Sequence, residues 1–297
     1  MTASTAHRTG TVAIVGRPNV GKSTLLNRLV GQKVSITSRK PQTTRNRITG
    51  ILTRPGAQLV FVDTPGFQTQ HRSALTRLMN RTVTQALTEV DVVVCVIEAL
   101  KCDERDEQLV NRLPESVPVI LVLNKVDRVK AKSELLPFIA RMSERRAFAA
   151  IVPMSAERDR DAEPLVREIV ALLPEGPPMY GEDEITTLPE RFLAAELVRE
   201  KLFRLLGDEL PYSTAVEVER FETTGELRRI FVGILVEKAN QKAIVIGKDG
   251  EKLKAISTAA RKDMEALFGS KVYLEVWVRV RSGWADDPAA LKRLGYD

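Results

Sequence analysis

The chain has 297 residues, 43% of them apolar, which is enough material for two globular cores rather than one. Its formal net charge of +6 favours a polyanionic partner, while two lone cysteines, Cys95 and Cys102, with only His7 and His71 to join them, exclude a disulfide framework and a structural zinc. The start "MTASTAHRTG" lacks the apolar core of a signal peptide, and the longest apolar run, "VDVVVCVIEAL", carries Asp91 and Glu98 and is too short to span a bilayer, so a cytoplasmic protein is expected.

Residues 1–10 are expected to be an N-terminal tail. From Thr11 to about Leu173, short β-rich runs alternate with helical patterns: "TVAIVG" then "KSTLLNRLV", "LVFVDT" then "SALTRLMNRTVTQAL", "VVVCVI" then "ERDEQLVNRL", "PVILVLNK" then "KSELLPFIARMSERR", and "AAIVPMSA" then "AEPLVREIVALL". Strands with almost no polar alternation are covered on both faces, so the pattern predicts an α/β domain over residues 11–173 built on a doubly wound, mostly parallel sheet. Pro55 and Gly56 form a turn signal inside "RITGILTRPGAQLVFVDT", which predicts a hairpin adding an antiparallel edge strand. No Asp or Glu precedes Asp63, whereas ten Lys or Arg residues lie from Arg8 to Arg54.

The stretch "GRPNVGKS", Gly16 to Ser23, follows a strand and opens a helix, the context a phosphate-binding P-loop requires. Backbone N–H groups of Gly16, Asn19, Val20, Gly21 and the helix start through Thr24 can wrap nucleotide phosphates; Lys22 can reach the terminal two and the Ser23 hydroxyl can ligate Mg²⁺. "DTPG" places Asp63 at the end of a strand, where it can hold Mg²⁺ through water, and the Gly66 N–H can meet a γ-phosphate. The base is chosen by "NKVD" and "SA". Asp127 can accept from two adjacent guanine N–H donors, Asn124 can tie the loops together, Lys125 can lie along the base, and the Ser155–Ala156 turn can present the Ala156 N–H to the guanine carbonyl. Adenine offers the wrong edge, and a site whose polar groups need a partner rejects the ligand that lacks it. Four such strings, in this order and each at a strand's carboxyl end, predict a GTP site.

The Pro-rich and acidic passage "PEGPPMYGEDEITTLPE", residues 174–190, breaks the alternation and reads as a linker. After it, residues 191–281 show a helix, two strands, the loop "IGKDG", a long helix with Leu253, Ile256, Ala260, Met264 and Leu267 at spacings of three and four, and the alternating strand "KVYLEVWVRV". A smaller α+β domain with a three-stranded sheet is expected, followed by a C-terminal tail over residues 282–297. The loop Gly247, Lys248, Asp249, Gly250 lies in a stretch, residues 240–281, that sums to +4, although residues 181–297 together sum to −2. It lacks the GK[ST] ending that Mg²⁺ chemistry needs, and Ile246, Lys248, Lys252 and the two glycines suit a clamp on the backbone of single-stranded nucleic acid.

The strings "GRPNVGKST", "PQTTRNRITG", "DTPGF", "NKVD" and "SA", with "VIGKDG" and the ending "SGWADDPAALKRLGY", resemble the bacterial Era family over nearly the whole chain. That resemblance implies a Ras-like P-loop GTPase domain joined to a type II KH domain, slow hydrolysis of GTP to GDP, and binding of the 3′ end of small-subunit (16S-type) rRNA during small-subunit assembly. It also implies that Thr44 is the switch threonine that joins Mg²⁺, within a mobile segment over residues 37–46, so that Lys22, Thr44 and Gly66 are the candidate catalytic groups. Where Ras-like proteins often carry a water-orienting glutamine, this chain has Phe67. Asn19 resembles the asparagine that ligates K⁺ in related GTPases, so K⁺ is an expected cofactor beside GTP and Mg²⁺. The rival readings are a GTP-dependent signalling protein whose second domain contacts protein or a membrane, peripheral at the inner face of the cell membrane, and a nucleotide-binding module that does not hydrolyse. The acidic linker and the absence of a basic amphipathic tail count against a membrane anchor. A monomer that does not bind DNA is expected.

Overall fold

Runs of β-branched and apolar residues form a six-stranded sheet in the computed structural model, which describes residues 7–41, 43–66, 74–158, 162–207 and 210–294. In chain order come β1 (Arg8–Gly16), α1 (Lys22–Val30), β2 (Ile48–Arg54), β3 (Ala57–Asp63), α2 (Ala74–Thr88), β4 (Val92–Glu98), α3 (Glu104–Val110), β5 (Val119–Asn124), α4 (Leu135–Ser143), β6 (Ala150–Pro153) and α5 (Ala162–Leu172). The order across the sheet is β2-β3-β1-β4-β5-β6. All neighbours are parallel except β2 and β3, the hairpin expected around Pro55 and Gly56. Val12 to Val15 and Val92 to Ile97 are fully buried, which is why these central strands carry no polar alternation. Because β1 lies between β3 and β4, the chain reverses its direction of travel across the sheet here, and the strand ends on either side of β1 frame the crevice where ligands of such folds bind.

Two expectations at the margins of this unit are corrected. β1 begins at Arg8, not Thr11: Arg8 pairs with Ala57, Thr9 and Gly10 are buried, and the Arg8 guanidinium donates to the carbonyls of Ala171 and Leu173. The passage expected to be a linker is strapped to the same unit as far as Thr187. Ile51 N donates to Ile185 O at 2.8 Å, and Thr186 Oγ1 to Thr49 O at 2.6 Å, so the strap satisfies the edge strand β2. Gln58, fully buried, accepts at Oε1 from Met179 N and Tyr180 N and donates from Nε2 to Tyr180 O and Thr53 Oγ1.

The second unit runs from Leu188 onward and takes in Ile36–Asn46. Its elements are α6 (Glu190–Leu205), β7 (Thr214–Thr224), β8 (Leu227–Val236), α7 (Ala239–Ile246), α8 (Glu251–Phe268), β9 (Lys271–Val280) and α9 (Pro288–Arg293). The sheet has the order β7-β8-β9, antiparallel then parallel. Ile256, Ala260 and Met264 of α8 are fully buried against Ile230, Val232 and Ile234 of β8, on the helix face expected from their spacing. On β9, Val272 and Val278 are buried as expected, but Val280 is 45% exposed at the strand's end. The helix α7 was not expected, because "AIVI" has strand chemistry; Gln241 Oε1 accepts from Glu237 N and Lys238 N and so closes the helix start. Residues beyond 281 do not trail away: Trp284 is fully buried and its Nε1 donates to Ser213 O. Among the described residues, no helix is long and apolar enough to cross a membrane.

Candidate functional site

β1 delivers its last residue, Gly16, to a loop with positive φ at Gly16, Asn19 and Gly21, and α1 starts at once with Lys22. A Cβ on Gly21 would lie 2.2 Å from Asn124 Nδ2, so only glycine fits there. Lys22 is buried, and its Nζ donates to Gly16 O at 3.0 Å and Arg17 O at 2.9 Å. Burial pushes its pKa down to about 8, against the opposing pull of Asp63 and Cys95. Asp63, at the end of β3, is fully buried, and its Oδ2 accepts from Ser23 Oγ at 2.8 Å and Ser35 Oγ at 3.0 Å. Burial raises its pKa, opposed by Lys22, Ser23, Ser35 and the Thr64 backbone. Asp63 Oδ1 is buried with no hydrogen-bond partner. An unpartnered carboxylate oxygen beside a serine hydroxyl suits a hard, oxygen-seeking cation such as Mg²⁺. Val20 is buried and Thr24 half-buried in the first turn of α1. Gly66 passes so close to the loop that a Cβ on it would lie 2.7 Å from Pro18 N. The structure thus brings Gly16, Lys22, Ser23, Asp63 and Gly66 together at one end of the sheet. Phe67 lies outside the described residues.

The base loops meet the same edge. Asn124 Nδ2 donates to Val20 O at 2.7 Å and its Oδ1 accepts from Ala156 N at 2.9 Å, so this side chain ties three loops, as expected. Lys125, at φ 66°, donates from Nζ to Asn19 O and Glu98 Oε2, both at 2.7 Å. Asp127 is exposed in the short turn Val126–Arg128, while Ser155 and Ala156 are buried in the loop that follows β6. The Ala156 N–H, expected to face a guanine carbonyl, is committed here to Asn124. Sequence reasoning passed over Glu98, Asp103 and Asp106, because no motif string carries them, and gave no role to Arg17 within "GRPNVGKS"; the signal of the three acids was position, at and just after the carboxyl end of β4, the same edge as Asp63 and Asn124.

Thr44 is placed differently. The segment Ile36–Asn46 packs with the second unit. Thr37 N donates to Glu200 Oε1 at 2.9 Å, Arg204 Nε donates to Thr37 O at 3.0 Å, and Arg45 Nη1 donates to Thr214 O at 3.0 Å. The buried Arg45 guanidinium also lies 5.7 Å from the Phe203 ring centroid and 5.8 Å from that of Trp284. Thr44 is buried next to it in the same unit.

In the second unit α7 ends at Ile246 and α8 begins after Gly250. Between them Gly247, Asp249 and Gly250 have φ of 74°, 49° and 79°. Such backbone is disfavoured for side-chain-bearing residues, and three of the four positive-φ non-glycine residues described, Asn19, Lys125 and Asp249, fall in the candidate loops. Lys242, Lys248, Lys252 and Lys254 are exposed around the loop, with Ile244 at 46% exposure and Ile246 half-buried as its apolar neighbours. The 18-residue helix α8 rules out a hairpin turn. The arrangement can receive a polyanionic backbone along the loop and an unstacked base on the isoleucines.

Two family profiles match: one described as 50S ribosome-binding GTPase over residues 11–125, and one described as KH domain over residues 209–285. The chain is 57% identical over 294 residues to GTPase Era of Nitrosomonas eutropha, covering 99% of each. It is 56% identical over 298 residues to GTPase Era of Stenotrophomonas maltophilia strain K279a, covering 100% of each. Among solved structures, it is similar to an Aquifex aeolicus Era variant bound to GDP·AlF4⁻, with TM-score 0.93, 40% identity and coverage of 97% of this chain and 99% of that one. It is equally similar, with TM-score 0.93, 41% identity and coverage of 98% and 99%, to Era in complex with MgGDPNP and nucleotides 1506–1542 of 16S ribosomal RNA.

Proposed function

The chain belongs to the Era family of GTPases, which it matches from end to end, and from that premise we propose that it is a GTP-hydrolysing switch that binds the 3′ end of 16S-type rRNA and acts in assembly of the small ribosomal subunit. What carries the reading is the presence, in one chain, of a phosphate loop facing an unpartnered carboxylate oxygen and a GxxG loop with three positive-φ residues among four exposed lysines. The relative solved with both MgGDPNP and 16S nucleotides supports the pairing of these two ligands. The profile description naming the 50S particle covers only residues 11–125, whereas the relative solved with 16S nucleotides matches 98% of this chain, the KH unit included, which supports the small subunit.

In this reading the loop of Gly16, Asn19, Val20, Gly21 and Thr24 holds the phosphates through main-chain N–H groups, Lys22 offsets their charge, and Gly66 meets the γ-phosphate. Ser23 and Thr44 would hold Mg²⁺, with Asp63 behind them, and the metal when bound would neutralise the β- and γ-phosphate oxygens. Asn124, Lys125, Asp127, Ser155 and Ala156 hold guanine, and Ile246, Gly247, Lys248, Asp249, Gly250 and Lys252 hold RNA. The domain limits proposed are a GTPase domain over residues 11–173, extended by the start of β1 at Arg8 and by the strap to Thr187, and a KH-type domain over residues 191–281, extended by the chain around the buried Trp284. Asn19 is proposed to ligate K⁺: exchanging K⁺ for Na⁺ at constant ionic strength should slow hydrolysis, and Asn19→Ala should remove the difference. The function is tested by ultraviolet crosslinking in cells and sequencing of the bound fragments. Enrichment at the 3′ end of 16S-type rRNA is expected; enrichment in large-subunit rRNA, or none, would overturn it.

A further inference from the structure

Arg17 is the second residue of the phosphate loop, yet its side chain turns to the start of α3. Its Nε donates to Asp106 Oδ1 at 2.6 Å and its Nη1 to Asp103 Oδ2 at 2.7 Å. Each aspartate spends its other oxygen on the helix itself. Asp103 Oδ1 accepts from Arg105 N at 2.9 Å and Asp106 N at 3.3 Å, and Asp106 Oδ2 accepts from Asp103 N at 3.2 Å. One guanidinium and one helix start therefore engage every oxygen of the two carboxylates. Asp106 is fully buried, so its charge depends on this pairing, and burial, the largest influence on it, raises its pKa against the Arg17 hydrogen bond.

The other end of the loop is tied as firmly. Asn19 O accepts from Lys125 Nζ, which Glu98 also holds, and Val20 O accepts from Asn124 Nδ2. Between these ties the chain passes through Asn19 at φ 65°, a conformation that persists only where its surroundings impose it. The carbonyl of Arg17 itself accepts from Lys22 Nζ.

We propose that Arg17 is a positioning residue for GTP: clamped between Asp103 and Asp106, it fixes the first peptide of the phosphate loop on α3, so that the loop N–H groups and Lys22 meet the phosphates already in place. A loop ordered in advance loses less freedom on binding, and this favours ground state and transition state alike. Removing the clamp therefore weakens nucleotide binding and leaves the chemical step alone. Lysine cannot replace arginine, because a point charge cannot span two carboxylates in a fixed fork. The inference rests on the phosphate loop being the GTP site.

The test compares Arg17→Lys and Asp103→Ser with the wild-type full-length chain. Asp103→Ser keeps a side-chain oxygen able to cap α3 while removing one arm of the clamp. Thermal unfolding, GDP dissociation, and KM and kcat for GTP are measured well below the midpoint of unfolding. Both variants are expected to release GDP about tenfold faster and to raise KM by about tenfold, with kcat within about twofold of wild type. Variants that lower the unfolding temperature but release GDP as wild type does would make the clamp merely structural and overturn the proposal; a fall in kcat at unchanged KM would overturn it in favour of a direct part in catalysis. Lys22→Ala separates the two levels. If it binds GTP as wild type does, the site reading fails; if it loses GTP while both clamp variants bind normally, only the role of Arg17 fails.

Discussion

Lys22 carries a charge that the fold alone does not favour and that GTP would. Its pKa is down at about 8, and a phosphate at Nζ would favour the protonated form, so GTP affinity should fall by about tenfold per pH unit above about pH 8. Folding stability has the opposite sign. A lysine with a pKa lowered from 10.5 costs stability in full below about pH 8, and that cost is relieved as the pH rises between those values. Calorimetric titration with GTP at about pH 7 and about pH 9 is the check; equal affinities would mean that the Lys22 charge does not meet phosphate. Asp127 makes a separate prediction. An amide at this position presents a donor and an acceptor where guanine needs two acceptors, so Asp127→Asn should lose GTP and gain xanthosine triphosphate; unchanged GTP affinity in the same titration would remove Asp127 from the base site. At this scale the motif residues were legible because each sits in a string of fixed spacing. Arg17 and Glu98 were not, because their partners, Asp103, Asp106 and Lys125, stand far along the chain and meet them only through the strand order.

The elements were legible wherever periodicity and burial agreed. The fully buried strands β1 and β4 show it as uninterrupted apolar runs, and α8 shows it as a stripe of Ile256, Ala260 and Met264. α7 was illegible because its helical start depends on one glutamine amide and its residues favour strand. The passage over residues 174–187 was misread for a different reason: proline, glycine and acidic residues mark irregular chain, but irregular chain still docks where an edge strand and a buried amide need partners. Gln58 holds it with three hydrogen bonds, to Met179 N, Tyr180 N and Tyr180 O, so Gln58→Ala should destabilise the first unit by about 1–3 kcal/mol and speed proteolytic cleavage near Tyr180. Chemical denaturation and limited proteolysis measure both. An unchanged cleavage rate would mean that the strap is held by its bonds to β2 and to the start of β1 without help from Gln58.

For the molecule as a whole, the sequence was enough to divide it into an α/β unit and a smaller α+β unit, but not to place Ile36–Asn46. That segment is polar and basic without apolar spacing, and it is ordered on the second unit through single contacts such as Arg45 between Phe203 and Trp284. The aromatic partners come from α6 and from the chain beyond β9, so no local pattern announces them. Net charge was likewise an incomplete guide, since the half that carries the GxxG loop is slightly acidic in total and basic only around the loop. If one chain uses two glycine loops for two different phosphates, charge added at one loop should leave the other loop's ligand unaffected. Gly250, at φ 79°, has open space about its missing Cβ, so Gly250→Asp puts negative charge where an RNA backbone would lie; it also strains the turn, and the variant must be shown to be folded. Anisotropy of a labelled single-stranded oligomer of the 16S 3′ end, over a salt series and beside a GTP titration, is the direct measurement. Folded Gly250→Asp should bind the oligomer at least about tenfold more weakly, about 1.4 kcal/mol, with GTP affinity unchanged. Wild-type RNA affinity in that folded variant would contradict it and move any RNA site to the basic stretch before Asp63.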